Sequence, residues 1–331
     1  MTKIDIISGF LGAGKTTLIK KLIKEAYGNE KLVLIENEFG EIGIDGSFLQ
    51  DAGVEIKEMN SGCICCSLVG DFSEALIKVM EQFQPQRILI EPSGVGKLSD
   101  VIKAVKNVAD TRFVLNSASV VVDGKKAGIY MKNFGEFFNN QVEYAQTIIV
   151  SRTQLMRQEQ IEQVVHALQE KNPNASIITT PWDALSAAQI INVMEQNHLS
   201  DELMKEMDVC PHCHHHHERD QHCDHTHTHG NDSHHHHHHA DDVFTSWGIE
   251  TARLFTKDKI SACLQKLSNQ NVYGIILRAK GMLRSEDGWL CFDYVPEEFD
   301  IRSGQAETIG KLCVIGSSLH EQALEELFGL K

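Results

Sequence analysis

The chain predicts an α/β protein with a mostly parallel sheet in a P-loop NTPase domain, a His-rich disordered linker, and a small α+β C-terminal domain. Three observations lead there. Short β-rich runs alternate with helical patterns over residues 1–196. A glycine-rich phosphate loop stands between the first strand and the first helix. Fifteen of the 18 histidines crowd into residues 212–239, and a globular pattern then resumes.

The elements follow in order. Residues 4–8 read as a strand, and 15–27 as a helix through the spacing of Leu18, Leu22 and Ile23. Residues 31–36 are a second apolar strand and 72–83 a helix. Strands at 87–91, 119–123, 147–151 and 176–179 alternate with helices at 99–108 and 156–170. Apolar strands separated by helices imply a parallel sheet covered on both faces. Residues 208–242 hold almost no aliphatic side chains and cannot form a packed core, so they are expected to be a disordered linker. Beyond it, strands at 243–251, 273–279, 289–295 and 312–316 and helices at 257–267 and 319–327 suggest the α+β domain. The expected boundaries are 1–196, 197–242 and 243–331.

Composition narrows the function. A formal net charge of −15 over 331 residues repels nucleic acid and anionic membrane, so neither is expected as a partner. No apolar run approaches the ~18–20 residues of a membrane span. The first eight residues read as a strand rather than a signal peptide, and a cytoplasmic location is expected. Of the nine cysteines, Cys263, Cys291 and Cys313 stand alone in apolar patterns and read as small buried hydrophobes. Cys63, Cys65 and Cys66, and Cys210, Cys213 and Cys223, are clustered; in a reducing compartment this favours metal or redox chemistry over disulfides. The isolated His166, His198 and His320 read as surface or helix residues.

Gly9-Phe-Leu-Gly-Ala-Gly-Lys-Thr16 has the spacing of a nucleotide-binding P-loop in the required strand–loop–helix context. Backbone N–H groups from Gly9, Gly12, Ala13, Gly14, Lys15, Thr16 and Thr17 would converge on phosphate oxygens, aided by the helix N-terminus. Lys15 is the charge partner of the β- and γ-phosphates, and the Thr16 hydroxyl is a Mg²⁺ ligand candidate. Glu91 ends a neighbouring strand, where it can act on Mg²⁺ through water or position the attacking water; the Gly94 N–H is placed for the γ-phosphate.

Four motifs in this order resemble the CobW-like family, related to the GTPases that deliver nickel to urease and hydrogenase. They are the P-loop through Thr17, Glu36-Asn-Glu-Phe-Gly-Glu-Ile-Gly-Ile-Asp45, Gly62-Cys-Ile-Cys-Cys66 and Glu91-Pro-Ser-Gly94. Residues 243–331 also resemble that family's C-terminal domain. The resemblance implies slow GTP hydrolysis with Mg²⁺, and binding of Zn²⁺ or Co²⁺ near the Cys motif. One departure stands out. Where the family's base-reading segment has Asn/Ser-Lys-x-Asp, this chain has Ser151-Arg152-Thr-Gln154. A carboxylate there accepts two guanine N–H groups, whereas an amide offers one acceptor and one donor. An unpaired polar group costs roughly 1–3 kcal/mol, so ATP stays open beside GTP.

Three thiols within four residues, Cys63, Cys65 and Cys66, suit Zn²⁺ or another thiophilic ion, and vicinal thiols also permit a redox role. By resemblance, Glu36 and Glu41 complete the shell. A second ligand field comprises Cys210, His212, Cys213, His214, His215, His216, His217, His222, Cys223, His225, His227 and His229. Its imidazoles suit Zn²⁺, Ni²⁺, Co²⁺ or Cu²⁺ in several weak sites, for collecting or storing metal. The expectation is a GTP-driven metallochaperone delivering a transition metal, zinc foremost, to a client metalloprotein. Service to a corrinoid or other metalloenzyme, and a passive His-rich buffer, are the alternatives.

Overall fold

The computed structural model describes residues 1–28, 30–36, 55–58, 69–108, 110–196, 243–304 and 309–330. Its first sheet has seven strands: β1 (Thr2–Gly9), β2 (Leu32–Glu36), β3 (Glu55–Glu58), β4 (Arg87–Glu91), β5 (Phe113–Asp123), β6 (Thr147–Ser151) and β7 (Ser176–Ile178). They lie in the order β3-β2-β4-β1-β5-β6-β7, and every pairing is parallel.

Strand residues alternate between two cores, as a sheet covered on both faces requires. Ile4, Ile6, Val33, Ile35, Ile88, Ile90, Val120, Val122, Ile148 and Val150 enter one core. Ile7, Leu34, Leu89, Val121 and Ile149 enter the other. The first core is closed by α2 (Val69–Phe83), α3 (Leu98–Asn107), α4 (Ala127–Asn133), α5 (Gly135–Glu143) and α6 (Gln158–Lys171). The second is closed by α1 (Lys15–Leu22), its wider π-helical continuation Ile23–Tyr27, and α7 (Ala187–Gln196).

The C-terminal sheet is antiparallel in the order β11-β10-β9-β12-β8. Its strands are β8 (Thr245–Thr251), β9 (Ile275–Ser285), β10 (Gly288–Val295), β11 (Glu298–Ser303) and β12 (Gly310–Ser317). Three helices accompany them: α8 (Lys257–Lys266), capped by Thr256 Oγ1 accepting from the Lys259 N–H, α9 (Gln270–Tyr273) and α10 (Glu321–Phe328). Along β12, Leu312 and Val314 face this domain's own core with Phe292, Leu324 and Phe328. Cys313 and Ile315, one residue out of phase, enter the first domain's core with Leu277 and Phe244. The Phe244 ring lies 5.0 Å from Phe137, 5.4 Å from Phe134 and 6.2 Å from Phe10. The two domains therefore share apolar packing. Cys263, Cys291 and Cys313 are buried.

Several elements lie outside the sequence expectation. The strands β3 and β11 and the helices α4, α5, α7 and α9 were not anticipated, and β9 runs six residues beyond the expected 273–279. β11, Glu-Phe-Asp-Ile-Arg-Ser, is an edge strand with mostly exposed, charged side chains and so lacks an apolar run. The expected 197–242 linker lies outside the described residues.

Candidate nucleotide and metal site

β1 sits between β4 and β5, where the strand order reverses, and its carboxyl end feeds the P-loop. That switch point is where open α/β sheets bind ligands. The loop needs glycine for two stated reasons. Gly12 has φ of +70° and would set a Cβ 2.3 Å from a Val295 methyl. Gly14 has φ of +104° and would set one 2.9 Å from the Trp182 ring. Both conformations disfavour side chains, and without Cβ atoms the loop N–H groups stay accessible.

Lys15 and Thr16 begin α1. Lys15 is 6% exposed and its Nζ is 3.8 Å from Glu91 Oε1. The Thr16 hydroxyl donates to Glu91, at 3.1 and 3.3 Å from its two carboxylate oxygens. β4 and β2 run parallel in a register that pairs Glu91 with Glu36. Two carboxylates thus end neighbouring strands, Glu91 beside the P-loop lysine and Glu36 next to it in register, and Glu36 is buried.

The segment after β4 leans on the P-loop: a Cβ on Gly94 would lie 2.9 Å from the Leu11 backbone nitrogen. Buried Gln141 of α5 fixes that segment, its Nε2 donating to the carbonyls of Gly94 at 3.1 Å and Gly96 at 2.8 Å. Composition and periodicity did not single out Gln141, since it carries no motif signal.

Beyond β6, Ser151 is buried and its Oγ donates to the Val122 carbonyl at 3.3 Å. Arg152 has φ of +63°. Its Nε is 3.3 Å from Asp123 Oδ2, its Nη2 donates to the Gly12 carbonyl at 3.3 Å, and its Nη1 contacts Glu298 of the C-terminal sheet. Gln154 is exposed in the short turn Thr153–Leu155.

A cavity of about 380 Å³ opens over the loop. One wall is Gly12, Gly14, Lys15, Thr16, Thr17, Lys20 and Arg152. The facing wall is Arg278, Asp293, Val295, Glu298, Phe299, Asp300 and Arg302, all from the C-terminal sheet. Arg278 holds Asp293 at 2.8 Å, and Arg302 holds Asp300 at 2.7 Å. Sequence reasoning missed this second wall. Its only local trace is the alternation of charged and apolar residues along β11. Burial lowers the Lys126 ammonium from its usual range, against the opposing pull of Asp123. Burial, with Glu297 adding, pushes the nearby Tyr294 phenol up to about 12.

Residues 3–179 match the family described as CobW/HypB/UreG, nucleotide-binding domain. The chain belongs to that family. In this family member, residues 244–329 also match the domain described as cobalamin synthesis protein cobW C-terminal domain. Zinc chaperone YjiA of Escherichia coli is 29% identical over 208 residues, covering 60% of this chain and 64% of that protein. Zinc chaperone YeiR of the same organism is 34% identical over 154 residues, 46% of this chain and 47% of the relative. The chain thus spans less than two thirds of the length of either. Zinc-regulated GTPase metalloprotein activator 1 of Schizosaccharomyces pombe is 25% identical over 325 residues, 90% of this chain and 76% of that protein. A crystal structure of Zn(II)-bound YjiA GTPase from E. coli covers 100% of this chain and 99% of its own, at 20% identity and a TM-score of 0.46.

Of the metal ligands expected in this CobW-family chain, Glu36 lies at the site described above. Cys63, Cys65, Cys66, Glu41 and the Cys210–His229 ligand field lie outside the described residues. Among the described residues, no three His, Cys, Asp or Glu side chains converge as a metal shell. No helix among them is long and apolar enough to cross a membrane.

Proposed function

We propose that this chain is a GTP-hydrolysing metallochaperone that carries a transition metal, zinc foremost, to a client metalloprotein in the cytoplasm. The observation that carries the reading is the register pair Glu36–Glu91 beside Lys15 and Thr16. It sets an expected metal ligand one strand from the nucleotide-responsive carboxylate. The names of the relatives, zinc chaperones and a zinc-regulated GTPase, support the cargo.

The donor set fits a magnesium nucleotide: a glycine cradle, a buried ammonium, a hydroxyl and a carboxylate. Mg²⁺, when bound, neutralises developing phosphate charge. Lys15 would exchange Glu91 for phosphate oxygens, which are stronger partners for its charge. Glu91, released from Lys15 and Thr16, would then hold the water near the γ-phosphate. Gln141 would keep the Gly94 backbone against the loop. Because Glu36 is the next strand's residue in register, a shift of Glu91 changes the field at the metal ligand. Nucleotide state then biases the metal shell, and hydrolysis makes release one-directional.

The test is Lys15→Ala in the full chain. We expect triphosphate binding to weaken strongly and hydrolysis to disappear. Unchanged turnover by the purified variant would end the assignment.

A further inference from the structure

Guanine presents two adjacent N–H donors, and the segment that ordinarily meets them ends here in an amide. Gln154 is exposed, and of its segment only Arg152 is among the described residues that line the cavity. The carboxylates in that lining come from the other domain: Asp293, Glu298 and Asp300.

The site has two ends. Lys15, Thr16 and Glu91 mark the phosphate end, on the β4 side of β1. Arg152 follows β6, on the opposite side of β1, and marks the nucleoside end. Asp293 is engaged by Arg278 through two oxygens, at 3.3 and 2.8 Å, and Asp300 by Arg302; both pairs are internal to the C-terminal sheet. Glu298 instead reaches across the domain seam to Arg152. Its side chain is 58% exposed, so it has room to turn. Arg152 does not depend on it, because Asp123 and the Gly12 carbonyl hold the guanidinium from the other side.

We infer that Glu298 is a specificity-determining residue that accepts the N–H groups of the guanine edge, so that the base is read across the seam by the C-terminal domain. This rests on the nucleotide-binding reading above. A carboxylate accepts two donors at once, which the Gln154 amide does not. Adenine offers a donor and an acceptor on the same edge, and the acceptor would face a carboxylate that has nothing to donate.

The experiment measures dissociation constants of GDP, IDP and ADP for the full wild-type chain, Glu298→Gln, and Glu298→Gln with Gln154→Asp. IDP keeps the ring N–H of guanine and lacks its exocyclic amine. Wild type is expected to prefer GDP over ADP, with IDP between. Glu298→Gln should lower the GDP-to-ADP preference about tenfold with ADP affinity unchanged, and Gln154→Asp should restore part of it. An unchanged preference in Glu298→Gln overturns the inference, as does an equal loss for all three nucleotides, which would make Glu298 only a tether between domains. A wild-type chain that binds GDP and ADP equally also overturns it and leaves the nucleotide site standing. A wild-type chain that binds none of the three overturns the nucleotide site as well.

Discussion

Glu36 and Glu91 are register partners at the carboxyl ends of neighbouring parallel strands, about 4.8 Å apart in strand spacing. Lys15 and Thr16 hold the second of them. Phosphate binding at the lysine therefore acts on a group adjacent to an expected metal ligand. Zn²⁺ affinity should differ between apo, GDP-bound and non-hydrolysable-GTP-bound protein. By linkage, Zn²⁺ must change nucleotide affinity by the same factor. Cys65→Ser with Cys66→Ser should remove the tight metal and the coupling while nucleotide binding survives. Affinity should also fall as pH drops, because thiol protons must leave. Titration of Zn²⁺ in the three states checks this, and equal affinities would separate the two sites.

Val295 rests on the P-loop where Gly12 has no side chain. Gly12→Ala forces a left-handed backbone on alanine, costing about 1–2 kcal/mol. The new methyl also overpacks against Val295, at roughly 1–3 kcal/mol more. Lower thermal stability and weaker nucleotide binding are expected. Adding Val295→Ala should recover only the packing part. Calorimetry of the single and double variants measures it, and a stable single variant would mean that the domains part readily.

Gln141 supplies one amide group to two carbonyls of the segment that leans on the loop. Gln141→Leu leaves the Gly94 and Gly96 carbonyls without that donor, at roughly 1–3 kcal/mol. In the proposed reaction the Gly94 N–H meets the γ-phosphate, so kcat should fall while diphosphate affinity changes little. Equal kcat in variant and parent would make Gln141 a packing residue only.

At the opposite end of the sheet, buried Arg87 contacts Asp5, holds Glu30 at 2.7 Å and Glu195 at 3.2 Å, and lies 4.3 Å over the Tyr27 ring. Arg87→Met removes the cation from a buried acidic group, a change of roughly 3–5 kcal/mol, although Asn116 and Ser117 still donate to Asp5. Burial alone would raise Glu195, but Asn116 and Lys3 outweigh it and hold its carboxyl below the ordinary range, with Arg87 adding to the pull. A depressed carboxyl stabilises the fold above its unfolded pKa and loses that contribution as pH falls through the folded value. Wild-type stability should therefore drop on acidification, and the drop should be shallower in Arg87→Met. Denaturant midpoints between neutral and acid pH test both statements.

The P-loop was legible from residues alone because backbone geometry and phosphate chemistry demand glycine, lysine and a hydroxyl at set spacing within one short segment. The same holds for the parallel sheet, whose doubly buried strands must read as apolar runs. Glu91 was legible as a strand-end carboxylate. Its pairing with Thr16 and its register with Glu36 were not, because sheet order joins strands that are distant in the chain. β11 carries charged side chains on an edge, where no apolar pattern announces it. Tertiary structure alone decided that Arg278, Asp293, Val295, Glu298 and Arg302 face Lys15 across one cavity. The reason is physical: a local pattern records which way a side chain points, whereas the wall it meets is set by the docking of Phe244, Cys313 and Ile315 on another domain's core.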